Sequence, residues 1–311
     1  MQTHRAILPI LPVFCILLLA AGCNLFDPLR ERGKAPPPVP SNKEIPTAQE
    51  LVKYLNDQAS VFETIDTRDL SITGNLQGNS GSIEGTLVAQ KPRNLNLVAR
   101  KPILGPMAYI GSNSERFWFH FPKDGSNSIF YCSYADFERG LELPLPVPID
   151  PDWILESFGM LAPNPNGDFR TEQRKDTIDL IEETTYRGQK VRKVTTFYLG
   201  NATGGQPQIP TRTMYDASNR IISQAKITRV KEFPVRSRDG SRDKVLLCPQ
   251  EMELSWPNQE TSISLDLGRM QVNVPVSRTQ FEMPDLGVKA VDLRRAQPAS
   301  RTRRTGASFQ D

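Results

Sequence analysis

Two spacings of apolar residues divide the chain. Between Thr47 and Phe62, apolar residues recur every three or four positions, and Glu50 follows Thr47 at the spacing of a capping box. From about residue 66 to residue 133 the spacing changes to two, with breaks at Gly, Ser, Asn and Lys-Pro positions. The pattern predicts one early helix followed by a meander of short antiparallel strands.

A second helix and more strands are predicted downstream. Pro151 to Leu161 carries an apolar stripe that Asp150 or Asp152 can cap. Alternating segments follow at Thr177–Thr184, Lys190–Leu199, Thr211–Tyr215, Ile221–Val230, Lys244–Leu254 and Thr261–Leu267. We therefore expect a mainly β fold: a curled antiparallel sheet, or open half-barrel, of about ten to twelve strands that wraps two or three short helices.

The N-terminus has the pattern of a bacterial lipoprotein signal. After Arg5, an apolar run from Ile7 to Ala21 is shorter than the ~20 residues of a spanning helix and ends in small residues before Cys23. Residues 1–22 are thus predicted to be a signal peptide, and Cys23 to become the lipidated N-terminus, carrying palmitate or similar chains. An uncleaved anchor, or a conventional signal cut nearby, is the alternative. The residue after Cys23 is Asn24 and not Asp, which favours a periplasm-facing protein anchored in the outer membrane.

Composition divides the rest of the chain into three parts. Residues 23–43 are the lipidated N-terminus and a polar, proline-rich linker, and residues 44–292 are predicted to form the half-barrel domain. Residues 293–311 form a basic tail that is predicted to be disordered. The net charge is +3, with 38 basic and 35 acidic residues, so no broad nucleic-acid-binding surface is predicted.

The side chains that enzymes use are scarce. His120 is the only histidine after the signal, and it is more typical of a structural histidine. The chain has no metalloprotease helix motif, paired-cysteine metal spacing, nucleophile elbow or glycine-rich phosphate loop. The carboxylate pairs, Asp66 with Asp69 and Glu182 with Glu183, are more typical of surface charges. We expect no enzyme, no cofactor and no metal.

Two cysteines remain in the mature chain, Cys132 and Cys248, both in apolar segments that resemble strands. An exported compartment permits oxidation. A disulfide between them and two buried free thiols are both compatible with this pattern.

A row of aromatic side chains is the candidate ligand surface. Phe117, Phe119 and Phe121 alternate on one face of a strand, so that they form a continuous apolar area. Together with Trp153 and Phe158 of the second helix, they are predicted to line a cavity for acyl chains. The alternative is that these aromatics fill a solid core and serve as a helix docking face.

Several longer segments resemble one family. NLNLVARKPILGPMAYIGSNSERFWFHFP and LPVPIDPDWILESFGML resemble the outer-membrane lipoprotein receptor, and TRTMYDASNRIISQAKI, CPQEMELSW and SRTQFEMPDLGVKAVDL resemble the related periplasmic lipoprotein carrier, the LolB/LolA superfamily. The resemblance covers Thr47 to Asp292 and implies a curled sheet around helices that encloses an apolar cavity for acyl chains. The section from Asp168 to Ser241 is longer than the family core, and the basic tail has no counterpart.

A stiff loop separates two of the predicted strands. Pro102 and Pro106 deny it ladder hydrogen bonds and Gly105 permits a tight turn, so Ile103 and Leu104 are predicted to be forced outward. The resemblance implies that Leu104 matches a leucine in a protruding loop that helps to deliver lipoprotein into the membrane. The alternative is that the loop folds back and Leu104 caps the core.

The sequence therefore favours a membrane-anchored envelope lipoprotein that binds acyl chains of lipoproteins or lipids in an apolar cavity and hands them to the membrane. A periplasmic lipoprotein carrier is the candidate partner, and nucleic acid is not expected as one. The alternative is a non-enzymatic envelope scaffold or sensor lipoprotein with no lipid cavity.

Overall fold

The structure is a computed structural model that describes residues 45–76, 79–122, 127–141, 150–200, 208–235 and 244–296. The signal peptide, Cys23, the linker and nearly all of the basic tail lie outside these residues. Four α-helices are described: α1 (Ala48–Ser60), α2 (Tyr134–Glu138), α3 (Pro151–Ser157) and α4 (Leu293–Ala296). Two 3-10 helices span Pro257–Gln259 and Arg278–Phe281.

Fifteen strands are found in the described part of the chain. They are β1 (Thr64–Leu76), β2 (Asn79–Gln90), β3 (Asn94–Lys101), β4 (Gly105–Ser112), β5 (Arg116–His120), β6 (Ser128–Ser133), β7 (Asp168–Gln173), β8 (Thr177–Tyr186), β9 (Gln189–Tyr198), β10 (Thr211–Asp216), β11 (Ile221–Val235), β12 (Lys244–Trp256), β13 (Thr261–Asp266), β14 (Met270–Val272) and β15 (Lys289–Asp292).

All of these strands belong to one curled sheet. The order is β15-β6-β5-β4-β3-β2-β1-β13-β12-β11-β10-β9-β8-β7, and β14 pairs with the start of β1. The end strands β15 and β7 are not paired with each other, so the sheet stays open. The predicted fold class, a mainly β open half-barrel with short helices, is confirmed.

Four α-helices are found where two or three were predicted, and the detail differs in three further respects. The sheet has more strands than the ten to twelve expected, because β7, β14 and β15 carry too few alternating apolar residues to be recognised. The terminal pair, β15 with β6, is parallel. The second predicted helix, α3, ends at Ser157 instead of near Leu161, because Gly159 has a φ of 82° that ends the turn.

The core lies on the concave, inner face of the sheet in two clusters. Helix α1 begins with a capping box at Thr47 and Glu50, and its apolar stripe, which includes Leu51 and Leu55, packs against β8 and β9. The larger cluster covers the inner face from β1 to β6 and from β10 to β14, with α2 and α3 packed onto it. The helices are therefore wrapped by the sheet, as the sequence predicts.

The chain after β14 crosses the convex face. Asn96 on β3 donates to the carbonyl of Gln280 over 2.8 Å, and Asn113 donates to the carbonyl of Phe281 over 3.3 Å. The segment then adds β15 beside β6. This crossing leaves the opposite, concave face to the helices and the candidate site.

Candidate functional site

An apolar cavity of about 350 Å³ lies on the concave face. Its wall is formed by β1 to β4, β12, β13, Phe121 after β5, and α3, and Ser80 and Lys101 are the polar residues in the lining. The volume lies within the range of about 300–1,000 Å³ that is usual for small-molecule sites. It is over twice the ~150 Å³ apolar cavity that stays dry and accepts benzene. The site therefore favours an apolar ligand over water.

Small residues explain why this volume is empty. Gly74 on β1 faces Gly81 on β2, and Ala99 on β3 faces Ala108 on β4. A Cβ atom added at Gly81 would meet nothing within 4 Å. Protein interiors are normally packed with few voids. Where two small residues face each other on a core-facing surface, no neighbouring side chain fills the space above them. The small residues at these positions of four adjacent strands, β1 to β4, therefore create the cavity.

Helix α3 forms the wall of the cavity opposite the sheet. Pro151 occupies the first turn, and the Asp150 side chain caps the helix by accepting a hydrogen bond from the amide of Asp152 over 2.9 Å. Ile154 and Phe158 line the cavity. The position of α3 therefore decides the depth of the cavity.

Asp150 ties the start of α3 to strand β8. Its Oδ2 atom accepts a hydrogen bond of 2.8 Å from the hydroxyl of Tyr186. Burial raises the pKa of Asp150 above its ordinary value, against the opposing effect of the Tyr186 hydrogen bond. The contact holds α3 against the second half of the sheet.

Asp152 ties α3 to the first half of the sheet. It forms an ion pair of 2.9 Å with Arg93, in the turn between β2 and β3, and Arg93 also pairs with Glu138 over 2.8 Å. The Arg93 guanidinium lies 4.1 Å from the centre of the Tyr134 ring. Burial, and then the charge of Asp150, raises the pKa of Asp152 to about 6.

Glu156 makes the third polar contact of α3, an ion pair of 2.7 Å with Lys193 on β9. Glu182 on β8, which is half-buried beside this pair, has its pKa raised by burial against the charge of Lys193. The three carboxylates of α3 thus connect it to both halves of the curled sheet. Their arrangement positions the helix and places no reactive group in the cavity.

The predicted aromatic ligand residues divide into two groups. Phe121 and Phe158 line the cavity. Phe117, Phe119 and Trp153 are buried in the core beside it and do not reach the lining. Their neighbours explain the difference: Phe117 packs against Phe137 at 5.1 Å and Tyr134 at 5.6 Å, Phe119 against Phe130 at 5.6 Å, and Trp153 against Trp256 at 5.5 Å between ring centres.

The loop between β3 and β4 projects from the protein as the sequence predicts. Ile103 is 97% exposed and Leu104 is 57% exposed, and Gly105 has a φ of 77° that permits the turn. Lys101 and Met107, on either side of this loop, line the cavity. We call Ile103 and Leu104 the apolar tip. It lies at the same end of the sheet as the cavity wall formed by Gly74 and Gly81.

Cys132 on β6 and Cys248 on β12 are both buried free thiols. Of the two alternatives open from the sequence, the structure has the free thiols and not the disulfide. Each cysteine packs within the larger core cluster, and burial raises the pKa of Cys132 to about 11. His120 is also buried, with its Nδ1 atom 2.8 Å from the carbonyl oxygen of Ser128.

The described residues lack two further features. None of their helices is long and apolar enough to cross a membrane. They contain no group of three or more His, Cys, Asp or Glu side chains placed to hold a metal ion.

Sequence reasoning missed the residues that create the cavity and hold its helix. The paired small residues carry no large apolar side chain that would mark a ligand surface. Glycine and alanine at alternate positions of Leu-rich and Ile-rich strands are the sequence signal that indicates them. Arg93, Tyr186 and Lys193 lie far from α3 in sequence, and no local pattern indicates contacts of this kind.

No protein family model matches the chain, and no curated protein sequence matches it. The chain is similar to the crystal structure of a domain named for outer membrane lipoprotein sorting from Vibrio parahaemolyticus, with 9% identity, a TM-score of 0.48, and coverage of 75% of this chain and 95% of that one. It is also similar to a LolA superfamily protein from Nitrosomonas europaea, with 12% identity, a TM-score of 0.47, and coverage of 77% and 99%. A DUF1329 family protein from Desulfovibrio piger gives 14% identity, a TM-score of 0.46, and coverage of 76% and 95%. Because all three TM-scores are below 0.5, the function proposed next rests on the cavity and not on these similarities.

Proposed function

We propose that this protein binds the acyl chains of lipids or lipoproteins in the apolar cavity and passes them to a membrane by physical transfer. The cavity of about 350 Å³, with its almost wholly apolar lining, is the observation that carries the proposal. Each buried methylene contributes ~0.8 kcal/mol, so ten would supply about 8 kcal/mol, the free energy of micromolar binding before its entropic costs. An acyl chain gains from such a surface without needing a polar partner.

Titration with a fluorescent fatty acid tests the binding. We expect saturable binding to the folded protein, and displacement of the probe by unlabelled long-chain fatty acids but not by short ones. A folded protein that binds no probe would contradict acyl binding and leave the envelope scaffold or sensor as the better description.

The apolar tip supports the second half of the proposal, delivery to a membrane. Exposed large apolar side chains at the end of a rigid hairpin are suited to insertion into a lipid surface. The loop lies between two residues of the cavity lining, Lys101 and Met107. A ligand leaving this end of the cavity would therefore emerge next to the apolar tip.

Leu104→Glu is expected to slow delivery of a bound fatty acid to lipid vesicles several-fold and to leave equilibrium binding unchanged. The carboxylate opposes insertion into hydrocarbon, whereas an exposed position changes the free energy of unfolding by no more than about 0.5 kcal/mol. The measurement is the transfer rate from preloaded protein to vesicles. Ser114→Glu, in the exposed turn at the opposite end of β4, is the matched control. Equal rates for the wild type and both variants would remove the tip from the mechanism.

The anchor belongs to the same proposal. Cys23, which lies outside the described residues, is proposed to carry the lipid that holds the protein at the periplasmic face of the outer membrane. Incorporation of a palmitate analogue at Cys23, together with recovery in the outer-membrane fraction, tests it. Recovery in a membrane without label would indicate an uncleaved apolar segment.

A further inference from the structure

A second, smaller pocket adjoins the apolar cavity. It has a volume of about 50 Å³ and lies between α1, the C-terminal end of α3, and strands β10 to β12. Phe158 lines both spaces, so its side chain is the partition between them. The pocket differs from the cavity because Tyr54, Gln58 and Arg212 bring polar groups into it. We call it the arginine pocket.

The side chain of Arg212 makes no hydrogen bond through its Nε atom to any residue that the structure describes. The residue is 7% exposed, its Nε atom is buried without a hydrogen bond, and the guanidinium forms no ion pair with a described residue. Glu156 is the carboxylate whose charge acts on it, and Glu156 is already paired with Lys193 at 2.7 Å. The Oε1 atom of Gln58 is likewise buried without a partner.

A buried and unpaired guanidinium is costly, because neither water nor a counter-ion compensates its charge. The free-energy cost of burying such a group is lower when a ligand supplies the opposite charge. The planar fork of arginine matches a carboxylate, which can accept two parallel hydrogen bonds from it. The unpartnered Nε atom of Arg212 therefore indicates an anionic group that is not among the residues that the structure describes.

We propose that the arginine pocket holds the carboxylate of a fatty acid whose hydrocarbon chain lies in the apolar cavity. This inference rests on the acyl-binding function proposed above and narrows its ligand to a free acid. The volume of about 50 Å³ corresponds to roughly four water molecules at ~10–15 Å³ each, which suits a carboxylate but not a glycerophosphate headgroup. An ester-linked or amide-linked chain has no charge to offer Arg212.

Phe158 determines whether one molecule can occupy both spaces. It follows the last residue of α3, and the next residue, Gly159, has a φ of 82°. For one fatty acid to occupy both spaces, the Phe158 side chain, which is 1% exposed, has to change its rotamer while the three carboxylates that fix α3 stay in place. The fatty acid would then extend from Arg212, past Phe158, towards Gly74 and Gly81 at the far end of the cavity.

The test compares dodecanoate with methyl dodecanoate, which has the same chain but no charge. With the full chain, we expect the acid to bind at least ten times more tightly than the ester. Arg212→Met should remove this preference by weakening the acid alone, and Arg212→Lys should retain part of it. Arg192→Met is the matched control, because Arg192 on the neighbouring strand β9 also has an unpartnered Nε but does not line the pocket. That variant should keep the preference.

Each contrary result has a distinct meaning. Equal affinity of the wild type for the acid and the ester would overturn the arginine pocket while leaving acyl binding intact, and binding of neither would overturn both proposals. If acetate raises the melting temperature of the wild type as much as dodecanoate does, the pocket is a site for a free anion. This result would also contradict the proposal that the pocket holds the carboxylate of a fatty acid. If Arg192→Met also loses the preference for the acid over the ester, the preference depends on the net charge of the protein and not on Arg212. If Arg212→Met does not fold, the comparison of the acid with the ester in the wild type still tests the proposal.

Discussion

Gly81→Trp is expected to weaken acyl binding about 50-fold, because excluding three methylenes from the cavity costs about 2.4 kcal/mol at ~0.8 kcal/mol each. Gly81 lies two residues before Ile83 on the same face of β2, and both residues line the cavity. A Cβ atom at position 81 meets nothing within 4 Å, so the indole enters open space instead of clashing. The backbone there does not need a positive φ, and tryptophan is a better strand residue than glycine.

The fold should therefore survive this substitution. The free energy of unfolding is expected to change by less than about 0.5 kcal/mol, measured by urea denaturation beside the fatty-acid titration. Ser82→Trp is the matched control, because Ser82 is exposed and points from the other face of the same strand. Undiminished binding in Gly81→Trp, or an equal loss in Ser82→Trp, would show that the acyl chain does not occupy this end of the cavity.

Tyr186→Phe is expected to destabilise the protein by about 1–3 kcal/mol, the range for leaving a buried acceptor without its donor. The phenol donates to Asp150 over 2.8 Å, and Asp150 is buried, so no water replaces the lost donor. Tyr215→Phe is the control, since the Tyr215 hydroxyl makes no hydrogen bond with the described residues. Urea denaturation of both variants gives the comparison.

The cost of Tyr186→Phe is also expected to depend on pH. The folded pKa of Asp150 is raised, so the folded state holds the proton more tightly than the unfolded state, and the stability from this group falls as the pH rises through the folded value. The hydrogen bond from Tyr186 stabilises the ionised form of Asp150 more than the protonated form, so its loss costs most when Asp150 is ionised. The cost of Tyr186→Phe should therefore shrink as the pH falls towards the ordinary range of a carboxyl group. In an Asp150→Asn background the cost should also fall, and a double-mutant cycle measures the coupling. A cost that is independent of both pH and residue 150 would refute the contact.

The sequence predicted the features that local physics controls. Two prolines and a glycine around Ile103 and Leu104 impose a turn that excludes these side chains from the sheet, and both are exposed in the structure. The strand segments from Thr177 to Leu267 agree within five residues at each end, because alternation and turn residues are local signals within one segment. The capping box of α1 has the predicted form.

The cavity lining depends on contacts that local patterns do not contain. Phe117 joins the core because α2, which the sequence did not predict, places Tyr134 and Phe137 beside it. Whether an aromatic side chain lines a void or fills it is decided by its neighbours across the core. Arg212 was not recognised for the same reason, since its lack of a partner is visible only in three dimensions.

The neighbours of β1 have a consequence for how this protein folds. Ile72 on β1 pairs with Ile83, close in sequence, and on its other side with Leu265, near the end of the described chain. All three residues line the cavity. Pairings between segments so distant in sequence form slowly, and until they form a strand edge and an apolar face stay open to wrong partners. A ribosome that has released only β1 to β11 has therefore produced a cavity wall that lacks the side formed by β12 and β13, and the proposed acyl-binding site is complete only after synthesis has passed β13.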